Sequence, residues 1–156
     1  DRHIHGDISN SMTAISIAAG LVRQFEGCQL QAYHDVGRGV MTIGWGHTGK
    51  DVHEGLIWTQ AQADAALVTD LQDAAIAAHG IVKTKATDRQ LGALISLCFN
   101  VPASDLATSD LLASFNKGDW ASAVRQWIRW DHANHEEKKG LLRRRLIEAA
   151  TYLEGT

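Results

Sequence analysis

Several residue types that would point to particular protein classes are scarce in this chain. Only 2 of its 156 residues are Cys, too few for a disulfide framework. Cys28 and Cys98 lie among apolar residues and read as free, mostly buried thiols, with a single bridge as the alternative. The 1 Pro, Pro102, leaves most of the chain free of a helix breaker. No apolar run reaches the roughly 18 residues of a membrane span. Residues 12–22 come nearest, but Arg23 ends them, and neither a basic leader region nor a cleavage site accompanies them. Charge of one sign is also lacking. A net −3 argues against nucleic acid as a partner, the local exception being Arg143, Arg144 and Arg145 beside Lys138 and Lys139.

Metal-ligand patterns are missing too, so neither metal nor cofactor is expected. His132 and His135, with Asp131 and Glu136, read as a solvated loop, and His3 and His5 as adventitious ligands at most. The polar, patternless residues 1–11 read as a flexible N-terminal segment, either a tag or what remains of a removed leader.

What is present describes a globular chain. With 45% apolar and 21% charged residues, it can bury roughly 70% of its unfolded surface as one domain. Ile15, Ala18, Val22 and Phe25 recur three or four apart, which predicts an amphipathic helix from Thr13 to Phe25. Gly27 ends it. Asp35-Val36-Gly37-Arg38-Gly39 is a turn signal before the β-favouring Val40-Met41-Thr42-Ile43, so Gln31 to about Thr48 reads as a hairpin or meander. Capping boxes at Thr59 and Thr87 open two helices, the second with Leu91, Leu94, Ile95 and Cys98 on its core face. Pro102 marks a loop, Ser109 and Asp119 are N-cap candidates, and Gly118 is a stop. Trp120, Val124, Trp127 and Ile128 form one stripe, its tryptophans read as core. Leu142, Leu146, Ala149 and Leu153 define a last helix.

The expected fold is therefore α+β and mainly α, with two lobes and a cleft between them. Residues 12–156 form the domain: a small β lobe at about 27–58, a linking helix at about 59–79 and a helical lobe at about 87–156.

Two carboxyl groups stand out. Glu26 follows Phe25 at a helix end, and Asp35 opens the hairpin turn, with Thr42 on the returning strand. Glycosidases need one protonated and one ionised carboxyl flanking the scissile bond. Apolar neighbours suit Glu26 to the acid role, while Asp35, among Gly and Arg, should stay ionised. By themselves such residues more often have structural roles.

The wider string is specific. Phe25-Glu26-Gly27, Ala32-Tyr33, Asp35, Gly39 and Thr42-Ile43-Gly44-Trp45-Gly46-His47-Thr48 closely resemble the phage lysozyme family, glycoside hydrolase family 24. So do Ala93-Leu94-Ile95-Ser96, Phe99-Asn100, Gly140-Leu141, Arg144-Arg145 and Glu148, extending the resemblance from about Ser16 to Leu153. The resemblance implies an endolysin that cuts the β-1,4 bond between N-acetylmuramic acid and N-acetylglucosamine in peptidoglycan. Glu26 would be the general acid, Asp35 the base that activates water, and Thr42 the group that fixes the water. Phe99 and Asn100 would line the cleft, His47 would be structural, and Arg144 would hold Glu26.

The implied protein is a monomer, without stable membrane insertion, that waits in the host cytoplasm and acts in the periplasm. A bacteriocin or prophage-derived toxin stays open as its origin. A silent wall-binding module is disfavoured by the intact Glu26, Asp35 and Thr42. One departure concerns the site itself: six residues separate Asp35 from Thr42, one more than the family pattern, enlarging the hairpin tip at Arg38-Gly39.

Overall fold

A computed structural model describes residues 3–133, 136–137 and 139–156, with side chains described for 12–131 and 140–156. Helix α1, His3–Phe25, leads into an antiparallel sheet of β1, Gln29–Asp35, β2, Val40–Gly44, and β3, His47–Thr48, in the order β1-β2-β3. Helix α2, Gln60–Ile81, runs from this sheet to α3, Asp88–Asn100. The remaining elements are α4, Ala103–Ala107, α5, Asp110–Lys117, α6, Trp120–Ile128, the short pair β4, His132–Ala133, and β5, Glu136–Glu137, and α7, Lys139–Glu154. The fold is α+β and mainly helical.

Cap chemistry places the helix starts. Thr59 and Thr87 each accept from the backbone N–H three residues on, while Gln62 and Gln90 bond back to the cap N–H groups. These reciprocal bonds satisfy donors that a helix start otherwise leaves orphaned. Ser109 and Asp119 cap α5 and α6 through Leu112 and Ser122, and Gly118 ends α5 at φ 71°.

The 22 residues of α2 span about 33 Å, enough to pack against β2 and β3 at one end and α3 and α4 at the other. Helix α3 is the centre of the core, packed against α1, α2 and α7, with Leu94, Ile95 and Leu97 fully buried. Gly92 explains how α1 comes so close. A Cβ there would stand 2.6 Å from Ile17 Cγ2 and 3.0 Å from the Ala14 carbonyl oxygen. Glycine costs a helix interior about 1 kcal/mol against Ala, and here it admits a whole helix face.

Five expectations change. The first helix begins at His3, not Thr13, so residues 3–11, expected as a flexible segment, continue it. Extending a nucleated helix is cheap compared with starting one. Behind Pro102, where a loop was expected, α4 makes one short turn that buries Leu106. Where a plain loop was read, β4 and β5 pair at His132–Glu137 and Ala133–Glu136. The His3, His5 and His132 side chains, and all of His135, lie outside the described residues.

The fourth change matters most to function. Leu146, expected inward on α7, is exposed, whereas Arg144, Arg145 and Glu148 are buried. The arginine run thus turns two of its three charges inward. Among the tryptophans, Trp127 is core as expected, but Trp120 is exposed. Both cysteines are free, and burial pushes the Cys98 thiol up to about 12, with Glu148 adding to the effect.

Candidate active site

Glu26 follows the last turn of α1, its backbone N–H still donating to the Val22 carbonyl at 2.8 Å. Its carboxyl is set, not loose, with 14% of the side chain exposed. Two guanidinium groups converge on the same oxygen, Oε1: Arg38 Nη2 at 2.7 Å and Arg144 Nη1 at 3.4 Å. On the other side, a Cβ at Gly46 would stand 3.0 Å from Glu26 Oε2, and Gly46 has φ 88°. Close approach and backbone conformation therefore both demand glycine there.

Asp35 closes β1. Its Oδ1 accepts from the backbone N–H groups of Gly37 at 2.9 Å and Arg38 at 3.2 Å, pinning the hairpin turn. Register pairs Asp35 with Val40 and Tyr33 with Thr42, so the loop comprises residues 36–39. From that loop the Arg38 side chain crosses to Glu26. On the way its Nε passes 3.7 Å from Asp35 Oδ2, and its Nη1 donates to the Gly46 carbonyl at 3.3 Å. One guanidinium thus spans both predicted catalytic carboxyls.

Arg144 and Arg38 differ in how they are held. Arg144 is 3% exposed, lies over the Phe25 and Phe99 rings at 5.6 and 5.8 Å, and donates to the Ser96 carbonyl and to Glu148. Arg145 is 1% exposed and donates to Asn100 Oδ1 at 2.9 Å, while its Nε lies 2.8 Å from Glu148 Oε1. Burial pulls the Arg145 pKa down to about 10, Glu148 opposing and Arg144 reinforcing the fall. Glu148, fully buried, also accepts from Ser96 Oγ and Trp127 Nε1. The expected Arg144–Glu26 contact is present. Sequence reasoning missed the apparatus behind it, although Glu148 at three and four residues beyond Arg145 and Arg144 was a usable signal.

A cavity of about 450 Å³ opens at this point, lined by Phe25, Glu26, Arg38, Asn100 and Arg144 among others. A second, of about 350 Å³, is lined by Gly46, Thr48, Asp70, Asp73, Cys98 and Phe99. Asn100 therefore lines the cavity that Glu26 lines, and Phe99 the one that Gly46 and Asp70 line. Thr42 is placed differently from the rest. It is fully buried in the middle strand, and its hydroxyl donates to the Val40 carbonyl at 3.3 Å.

His47 acts as a clamp between the β lobe and α2. Its Nδ1 is 2.8 Å from Asp70 of α2, its Nε2 is 3.0 Å from Asp51, and its ring packs on Trp58. Burial pulls its pKa down, but the hydrogen bonds to Asp70 and Asp51 outweigh this and raise it. Asp70 is raised as well, because its own burial outweighs the bond from His47. For a histidine, a raised folded-state pKa contributes stability below the unfolded value of about 6.5, and loses it as pH climbs through the folded value. We therefore expect the thermal midpoint to fall between about pH 6 and pH 9 in the native chain. In His47→Gln it should be lower at the acid end and flatter across the range; an unchanged slope would count against the clamp. Asp70, with no sequence signal, was not foreseen as its partner.

The chain as a whole has relatives of known family. The Phage lysozyme family model matches residues 23–148. The chain is 37% identical over 148 residues to a SAR-endolysin of Bacteriophage PS119, covering 91% of this chain and 88% of the relative. Among solved structures, a P22 lysozyme mutant is 34% identical with a TM-score of 0.75, covering 87% of this chain and 94% of that one. The muramidase domain of SpmX from Asticaccaulis excentricus is 33% identical with a TM-score of 0.78, at the same coverages of 87% and 94%. With sequence and fold in agreement over most of its length, the chain belongs to the phage lysozyme family and is a glycoside hydrolase of the endolysin type.

Proposed function

We propose that the chain hydrolyses the β-1,4 bond between N-acetylmuramic acid and N-acetylglucosamine by single displacement, with Glu26 as general acid and Asp35 as general base. Glu26 gives its proton to the glycosidic oxygen as the C1–O bond breaks. A water attacks C1 from the opposite face while Asp35 takes its proton, so the anomeric configuration inverts. The supporting observation is that a single guanidinium fits between the two carboxyls. Space for a planar guanidinium is also space for a water, as the roughly 6.5–9.5 Å carboxyl separation of inverting enzymes requires.

The other groups support this chemistry. Arg144, locked from behind by Glu148, orients Glu26. Phe99 presents a ring face to a sugar. Asn100, its oxygen engaged by Arg145, keeps its amide N–H groups for an acetamido carbonyl. Thr42 commits its proton to Val40, so its oxygen would hold the water as an acceptor. Its burial makes it the member of the trio most dependent on rearrangement when substrate binds.

The enzyme works as a monomer, takes no metal, and attacks the wall from the periplasm after waiting in the host cytoplasm. Among the described residues no helix is long and apolar enough to cross a membrane.

Digestion of purified glycan strands tests the chemistry. New reducing-end muramic acid, released first as the α-anomer, is expected by NMR. A 1,6-anhydro end would overturn the role of water. Asp35→Asn should lower kcat by about 10²–10⁴, the usual worth of a positioned base, with a smaller change in KM.

A further inference from the structure

Arg38 is a residue that the hydrolytic reading leaves without a part. The enlarged hairpin tip carries it between acid and base, where it contacts Glu26 Oε1 at 2.7 Å, the Gly46 carbonyl at 3.3 Å and Asp35 Oδ2 at 3.7 Å. An attacking water must occupy a place between those carboxyls, and the acid oxygen must reach the glycosidic oxygen. A guanidinium so placed competes with both.

Which arginine can move is settled by how each is held. Arg144 is buried, stacked between two rings and bonded to Glu148 and Ser96, so it stays. The Arg38 side chain is 36% exposed, and its bonds are all to groups of the site. Its backbone N–H is independently anchored to Asp35 Oδ1, so the side chain can leave without undoing the turn. Glu26 keeps Arg144 as its partner when that happens.

On the acid–base reading of Glu26 and Asp35, we infer that Arg38 is a positioning residue that plugs the resting site and that the glycan must displace to bind. Held in the closed arrangement, the site is competent only for the fraction of molecules in which Arg38 has swung out. Apparent affinity is reduced by that fraction, whereas the chemical step, taken after displacement, is not. Arg38 thus sets substrate affinity by competition with the substrate itself. The device differs in sign from a catalytic or merely structural arginine, whose removal would cost activity.

Steady-state kinetics on soluble, uncrosslinked glycan fragments test this with Arg38→Ala and Arg38→Gln, the latter keeping a stem if the former folds poorly. KM should fall about two- to fivefold in both, the worth of one partly exposed ion pair, with kcat moving less than KM. The gap between native and variant KM should narrow as salt rises from about 0.05 to about 0.3 M, because the latch is ionic. An unchanged or higher KM in both variants, or kcat reduced tenfold, would overturn the plug. Glu26→Gln run in parallel separates the two claims: if it keeps native kcat, the acid–base reading itself fails and takes this inference with it. With Glu26→Gln inactive and Arg38 variants unimproved, only the plug fails.

Discussion

Glu26→Gln is expected to remove lysis of permeabilised Gram-negative cells in a turbidity assay, lowering kcat by about 10³–10⁴. A positioned general acid is commonly worth about 10²–10⁴, and Gln has no proton to give the leaving oxygen. The upper part of that range is expected because the carboxyl is tightly set. Arg144 and the bare face of Gly46 hold it in place whether or not Arg38 is present, with 14% of the side chain exposed. The substitution keeps the shape and one carbonyl oxygen, so the two arginines retain an acceptor. Arg144 retains Glu148 and the Ser96 carbonyl in any case. The thermal midpoint should therefore move by only a few degrees. Such a variant, folded but inactive, locates the loss in chemistry. Lysis at the native rate would remove Glu26 from the reaction.

A second substitution, Glu148→Ala, should act through stability. Glu148 is fully buried and balances two guanidiniums that are themselves 3% and 1% exposed. Breaking a buried ion network by deleting one partner commonly costs about 3–5 kcal/mol, since the surviving charges stay buried without compensation. Here two cations would be left against each other, with Ser96 Oγ and Trp127 Nε1 losing their acceptor. For a chain of this size the midpoint should fall by roughly 6–20 °C at about 2–4 °C per kcal/mol. Glu148→Gln, which keeps the acceptors but not the charge, should cost less. A loss under about 1 kcal/mol for Glu148→Ala would mean the network contributes little. Activity at a temperature where the variant is folded should drop too, because Arg144 loses the anchor that aims it at Glu26.

These two predictions divide along the line between local sequence and tertiary packing. Helix starts were legible because a cap is a local bond: Thr59 and Thr87 need only the residue three places on. The hairpin was legible for the same reason, since Asp35 ties down its own turn through Gly37 and Arg38. Glu26 and Asp35 could be named from the string around them, which carries the family resemblance.

The α7 face was not legible. A stripe of leucines predicted Leu146 inward by the ordinary rule that apolar residues are buried. Arg144, Arg145 and Glu148 took that place because α3 and α6 bring Ser96, Trp127 and Asn100 to meet them. The partners of His47 escaped notice likewise, Asp70 being 23 residues away on another element.

Composition and capping signals therefore determined by themselves that this is a mainly helical α+β chain, with few cysteines and one proline, while the string around Glu26 and Asp35 carried the resemblance from which both were named. Tertiary structure alone decided what holds them. Charge partners are chosen by proximity across elements, a distance that no local pattern encodes. Arg38 shows it most plainly: a turn residue in the sequence, it lies between Glu26 and Asp35 once the hairpin folds back beside the end of α1.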